Sequence, residues 1–211
     1  MYRNFLEAQS VTRRLMIATL VAAWGILAMV GLLLLTGYTN APGPQSATPA
    51  DWPAGSEIKL NRLGDTLIFF AHPRCPCTRA SLGELEKIVA RHPRGLRLWV
   101  LFYKPLDAAD WPQTDLWDTA AALPDAQVLA DLDGKEARRF NASTSGQTLL
   151  YNAQGRLLFA GGITPGRGHA GDNAGRSAIE TLLAGGQPGY DRTPVFGCPI
   201  LTMDASAGGA P

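Results

Sequence analysis

The stretch FFAHPRCPCTRASLGELEKIV, residues 69–89, sets Cys75 and Cys77 on either side of Pro76, between an apolar run and a helical pattern. The run begins upstream, where TLIFFA (residues 66–71) is continuously apolar, as a strand buried on both faces requires. Downstream, Leu82, Leu85, Ile88 and Val89 recur at helical spacing against Glu84, Glu86 and Lys87, up to His92-Pro93. The Cys-Pro-Cys motif therefore falls in a strand-to-helix turn.

Outward from it, LRLWVLFY (residues 96–103) reads as a second buried strand, and Thr114 as the cap of a helix to about residue 123. AQVLADL (residues 126–132) is a third strand, with a short helical piece over residues 135–140. Residues 147–151 and 156–160 then flank the turn Asn152-Ala153-Gln154-Gly155 as a hairpin, and residues 173–183 form a last helix. Alternating strands and helices closed by a hairpin and helix predict a three-layer α/β/α domain with a mixed central sheet.

Toward the N-terminus, LMIATLVAAWGILAMVGLLLL (residues 15–35) carries no charge and is long enough to cross a hydrocarbon core of about 30 Å at about 1.5 Å per residue. A cleaved signal would be shorter and end in small residues. Arg3, Arg13 and Arg14 precede the span and nothing basic follows until Lys59, so the positive-inside rule puts the N-terminus in the cytoplasm and the domain in a periplasmic or other extracytoplasmic space. The expected organisation is a cytoplasmic segment 1–14, a transmembrane helix 15–37, a Pro-rich linker 38–55, the folded domain 56–185, and an irregular tail 186–211 carrying Cys198. A net charge of +1 in 211 residues gives no sign of a nucleic-acid partner. Three cysteines in an exported domain are free to oxidise, and their odd number leaves one thiol over.

A span, a linker, a strand FFA, a cysteine pair opening a helix, and the later run VLADLDGKEARRFNAS…TLLYNAQGRLLFAGG together resemble the membrane-anchored thioredoxin-like family that includes periplasmic cytochrome-maturation reductases. The likeness covers about residues 56–185. The run GGITPGRGHAGDNAG and the terminal VFGCPI look more specifically like RedB-like thioredoxin-fold proteins. The resemblance implies a thioredoxin-like fold and thiol–disulfide exchange with exported protein thiols or disulfides, a reaction that requires no cofactor. Two features depart from the family. Aligned on FFA, Cys77 takes the second-cysteine position while Arg74 stands where the first belongs. The family's cis-proline before the hairpin is absent too, its place falling at Gly146 or its neighbours in STSGQT.

A thiol at a helix N-terminus gains thiolate character from the dipole and free N–H groups, and Arg74 and Arg79 are candidates to add to it. Either Cys75 or Cys77 is then the nucleophile, and a bridge between them closes a small, strained ring. A helix starting instead at Ser81, in the capping box Ser81-Leu82-Gly83-Glu84, leaves both cysteines on a loop. Cys198 lies among aromatic and proline neighbours in a segment that reads as docked. If it folds over the motif, it is a resolving thiol or a third sulfur ligand. His72, before Pro73, is placed to tune the thiols.

The metal alternative gives Cu(I) or Zn(II) to Cys75, Cys77 and His169, with Cys198 or His72 as further ligands, in a metallochaperone for membrane oxidase assembly. A docking module with incidental cysteines is the third reading. Residues 166–171 match G-x-G-x-x-G, but no strand follows at the acidic Asp191, so no nucleotide site is expected; the loop instead aims His169 and Asp172 at the cysteine face.

Overall fold

The computed structural model describes residues 2–107, 111 and 113–201, with the backbone alone for residues 2–12. It divides into two units at residue 40. The first is a single helix, α1 (Tyr2–Asn40). Within its 28 residues Arg13–Asn40 an 18-residue stretch reaches a mean hydropathy of 2.4, so the helix is long and apolar enough to cross a membrane.

In the second unit the elements run β1 (Asp65–Ala71), α2 (Pro76–Arg91), β2 (Leu96–Lys104), α3 (Asp115–Ala121), β3 (Ala126–Leu132), α4 (Lys135–Arg139), β4 (Thr148–Tyr151), β5 (Leu157–Gly161) and α5 (Ala174–Leu183). The sheet order is β3-β2-β1-β4-β5, with β1, β2 and β3 mutually parallel, β4 antiparallel to β1, and β5 antiparallel to β4 in the closing hairpin. The expected mixed α/β architecture is therefore present.

β1 occupies the middle because both of its faces are apolar. Alternate residues of a strand point to opposite faces. Leu67 and Phe69 thus pack with Leu82, Leu85 and Ile88 of α2 and Ile179 of α5, whereas Ile68 and Phe70 pack with Phe140, Leu149 and Tyr151. The two sides are covered unequally. Two long helices shield the first, but the second has only the five residues of α4.

Chain from outside the expected domain completes that second cover. Trp52 packs edge-on against Phe140 and Tyr151, with centroids 5.2 and 5.3 Å away, and Tyr151 Oη donates to the Pro49 carbonyl at 2.8 Å. Residues 41–55, most of the expected linker 38–55, lie against the domain, and the tail does as well: Val195 is fully buried and Ile200 nearly so. An apolar sheet face of this width, left in water, would lose about 25 cal/mol per Å² of burial, which accounts for the recruitment of both flanks.

Candidate functional site

The site grows from the end of β1. Cys75 is the N-cap residue of α2, with extended backbone (φ −87°, ψ 118°), and Pro76 occupies the first helical turn. Proline suits that position because it has no N–H to leave unpaired. The helix begins at the motif and not at Ser81, whose hydroxyl lies inside it and donates back to the Cys77 carbonyl at 3.4 Å.

The turn before the helix is held from both ends. Cys75 N–H and the Thr78 hydroxyl donate to the His72 carbonyl at 3.1 and 3.3 Å, and Thr78 N–H donates to the Cys75 carbonyl at 3.1 Å. His72 N–H in turn donates to Ser145 Oγ at 2.9 Å, which ties the turn to the loop before β4. In that loop Gly146 takes φ +95°, a conformation that favours glycine, and its N–H donates to the Phe70 carbonyl at 2.8 Å.

The tail crosses this loop. Ser145 N–H donates to the Cys198 carbonyl and Ile200 N–H to the Ser143 carbonyl, both at 2.8 Å, with an antiparallel bridge between Thr144 and Pro199. Gly197 makes the approach feasible, since a Cβ there would stand 1.9 Å from the Ser145 carbonyl oxygen. A Gly197→Ala variant is accordingly expected to lift the strap. A local destabilisation of about 1.4 kcal/mol would raise the opened population about tenfold, and the check is faster alkylation of Cys75; an unchanged rate would contradict the packing described.

This geometry brings all three cysteines together. Cys75 is the centre, accepting hydrogen bonds from the Cys198 thiol and from the backbone N–H groups of Cys198, Cys77 and Thr78. Burial pushes the Cys75 thiol up, but those donors outweigh it and hold it below the ordinary thiol range. Cys77 is pushed up by burial, by the neighbouring Cys75 charge and by its own donation to Cys75, against a smaller downward pull from Arg167 and Gly168 N–H. Cys198 is pushed up to about 12 by burial and by donation to Cys75. The pH profile of alkylation therefore should show one thiol titrating below the ordinary value and two above it, measured peptide by peptide; three coincident profiles would refute the hydrogen-bonded arrangement.

The cationic charge at the thiols belongs to Arg167 rather than to either arginine flanking the motif. Arg167 donates from Nη1 to the Gly197 carbonyl at 2.7 Å and from Nε to the Ala41 carbonyl at 3.1 Å, pinning the strap. Arg74 stacks on Trp111, 3.9 Å above the ring, and Arg79 pairs with Asp115. A groove of about 210 Å³ lined by Pro73, Arg74, Arg79, Asp115 and Leu116 opens beside Cys75. His72 accepts Arg74 N–H on Nδ1 at 3.2 Å and stacks on Tyr103, and burial together with the Arg74 charge lowers its pKa, favouring the neutral ring.

The glycine loop is tied to α2 by an internal carboxylate. Its Gly171 N–H donates to Glu84 at 2.9 Å, a carboxylate of α2 that is fully buried and also pairs with Arg176 at 2.7 Å. Gly168 of the same loop faces Cys77, while His169 is exposed with Nδ1 hydrogen-bonded to the Arg167 carbonyl at 2.7 Å. Asp172 pairs with Arg176 at 2.8 Å instead of reaching the cysteines. Among the described residues no group of three or more His, Cys, Asp or Glu side chains is disposed to hold a metal ion.

Cys75, Cys77, Pro76, His72, Arg74 and Gly146 surround one turn. Arg167, Ser145 and Glu84 stand in recognisable sequence patterns that do not announce their roles at the site, and Gly197 has no signal of its own. Only the apolar, proline-flanked setting of Cys198 hinted that the tail was docked.

No family model and no curated protein matches the chain. Solved structures do. An uncharacterised conserved protein from Geobacillus kaustophilus shares 19% identity over 80% of this chain and 95% of its own, with a TM-score of 0.56. A hypothetical protein from Sinorhizobium meliloti shares 22% identity over 76% of this chain and 93% of its own, with a TM-score of 0.54. A secreted Mycobacterium tuberculosis disulfide oxidoreductase, homologous to E. coli DsbE, matches at 16% identity over 58% and 81%, with a TM-score of 0.42. At these identities the likeness concerns the fold alone. With a parallel β1-α2-β2 unit, an antiparallel hairpin followed by α5, and a cysteine motif opening α2, the chain has the thioredoxin-like fold.

Proposed function

We propose that this protein is a thiol–disulfide oxidoreductase, held at a membrane by α1, that acts on exported proteins with Cys75 as its attacking thiolate. The observation that carries the reading is the position of Cys75 as the N-cap residue of α2, with Cys77, Thr78 and the tail's Cys198 against it and its thiol held below the ordinary range. A thiolate in that position attacks a partner disulfide, and a neighbouring thiol then resolves the mixed disulfide. The arginines before the span and the lack of basic residues just after it support an extracytoplasmic domain.

The test uses the full chain, reduced and in detergent, with a disulfide-bonded model peptide. Stoichiometric reduction of the peptide, lost in a triple Cys→Ser variant, is the expected result. Equal reduction by the triple variant would remove the proposal. A metal carrier would instead be isolated with bound copper or zinc, and nothing about His169, turned onto its own loop, favours that reading over exchange.

A further inference from the structure

Cys75 is 1% exposed and Cys77 9%, whereas Cys198 is only half-buried, so the most exposed of the three cysteine residues lies on the tail. It is also the thiol held most firmly by main chain. Ser145 N–H binds the Cys198 carbonyl, Ile200 N–H the Ser143 carbonyl, and Arg167 the Gly197 carbonyl, so hydrogen bonds fix the strap before, at and after Cys198. Ser145, which holds the strap, also accepts His72 N–H on Oγ at 2.9 Å, so the strap lies over the turn of Cys75, and Cys198 lowers the Cys75 pKa through both its N–H and its thiol.

Cys77 is in contact with Cys75 too, but a bridge between them must close a small ring through Pro76, whose φ is fixed. The ring would pull against the helix start, where Thr78 N–H is bonded to the Cys75 carbonyl at 3.1 Å. A bridge to Cys198 joins two separate segments that already lie together and imposes no such ring.

Resting on the exchange reading, we propose that the working disulfide is Cys75–Cys198, with the tail as a covalent strap that receives partner thiols at the half-buried Cys198 and Cys77 as a permanent thiol donor to Cys75. In the oxidising half-cycle the Cys75 thiolate breaks a partner disulfide and one partner sulfur leaves. Cys198, giving its proton to that departing thiolate, attacks Cys75 Sγ and expels the second, which takes a proton from solvent. The partner gains two electrons and two protons, and the chain loses the two electrons. Return requires a dithiol: its thiolate attacks Cys198 Sγ, Cys75 leaves as a thiolate, and the second dithiol sulfur releases Cys198, leaving the dithiol oxidised.

Trypsin separates the alternatives, because cleavage after Arg74, Arg79 and Arg192 yields residues 75–79 with both motif cysteines and residues 193–211 with Cys198. The full chain in detergent is equilibrated in glutathione redox buffers, acid-quenched, alkylated and digested. The expected product is the two peptides joined, with Cys77 alkylated, a linkage kept in Cys77→Ser and lost in Cys75→Ser. Residues 75–79 lighter by two hydrogens, with Cys198 alkylated, would overturn the strap while leaving exchange intact. Three alkylated thiols at every potential, with no peptide reduction, would overturn both.

Discussion

Replacing Cys75 by serine is expected to lower the rate of disulfide reduction by about two to three orders of magnitude. The two remaining thiols do not substitute for it. The push that Cys75 exerts on Cys198 disappears with it, but burial, the largest cause of the raised value in the parent, remains and keeps Cys198 mostly protonated at pH 7. Greater basicity makes each thiolate a better nucleophile, but only by about 0.4–0.5 of a log unit per pKa unit, which recovers about half of what the lower ionised fraction loses on the logarithmic scale. Cys77 regains some thiolate character once the Cys75 charge is gone, yet its burial remains. The Cys77→Ser variant removes one hydrogen-bond donor from Cys75 and leaves the three backbone N–H groups and Cys198, so a loss of only several-fold is expected. The measurement is single-turnover reduction of a disulfide peptide by each reduced variant. If Cys77→Ser were the more damaging change, the nucleophile would be misassigned.

The architecture was legible because its signals are local. TLIFFA and LRLWVLFY are too apolar to lie anywhere but in the middle of the sheet, AQVLADL is a strand pattern that suits the half-buried edge, and β1, β2 and β3 form where they stand. The turn carrying Cys75 and Cys77 was fixed by its neighbours for the same reason. What sequence could not display are contacts between segments lacking periodicity. Residues 41–55 look like a linker by their proline and small-residue content, and only the thin cover of α4 on one sheet face explains their docking. The meeting of Cys198 with Cys75 depends on a close passage at Gly197, which has no signature in composition. Glu84 was misleading in another way, standing beside Glu86 and Lys87 as one more charge of a solvated helix face, although it is fully buried.

That buried carboxylate sets up the second large effect. Removing its guanidinium partner in Arg176→Met is expected to destabilise the domain by about 3 kcal/mol, since a buried charge stripped of its partner typically costs about 3–5 kcal/mol and Lys87 still pairs with Glu84 at 2.7 Å. For a domain of this size that corresponds to a fall in Tm of about 6–12 °C. Burial raises the Glu84 pKa, but the Lys87 hydrogen bond, the Gly171 N–H and the Lys87 and Arg176 charges bring it below its ordinary value of 4.5. With the folded pKa depressed, the contribution is fully present above about pH 4.5 and disappears as pH falls through the folded value, when both folded and unfolded carboxyls are protonated. The difference between parent and Arg176→Met should thus be wide at pH 7 and narrow in acid. Glu84→Gln combined with Arg176→Met should be less damaged than the two single variants predict, because no bare charge remains. The site is coupled to this network through Gly171: the loop that Glu84 holds also carries Arg167 and Gly168 to the thiols. Arg176→Met should therefore shift the alkylation profile of Cys77 upward even at temperatures where the domain stays folded. Tryptophan fluorescence melts at several pH values, with peptide-resolved alkylation, read both effects, and a Tm within about 1 °C of the parent at pH 7 would show that Glu84 does not depend on Arg176.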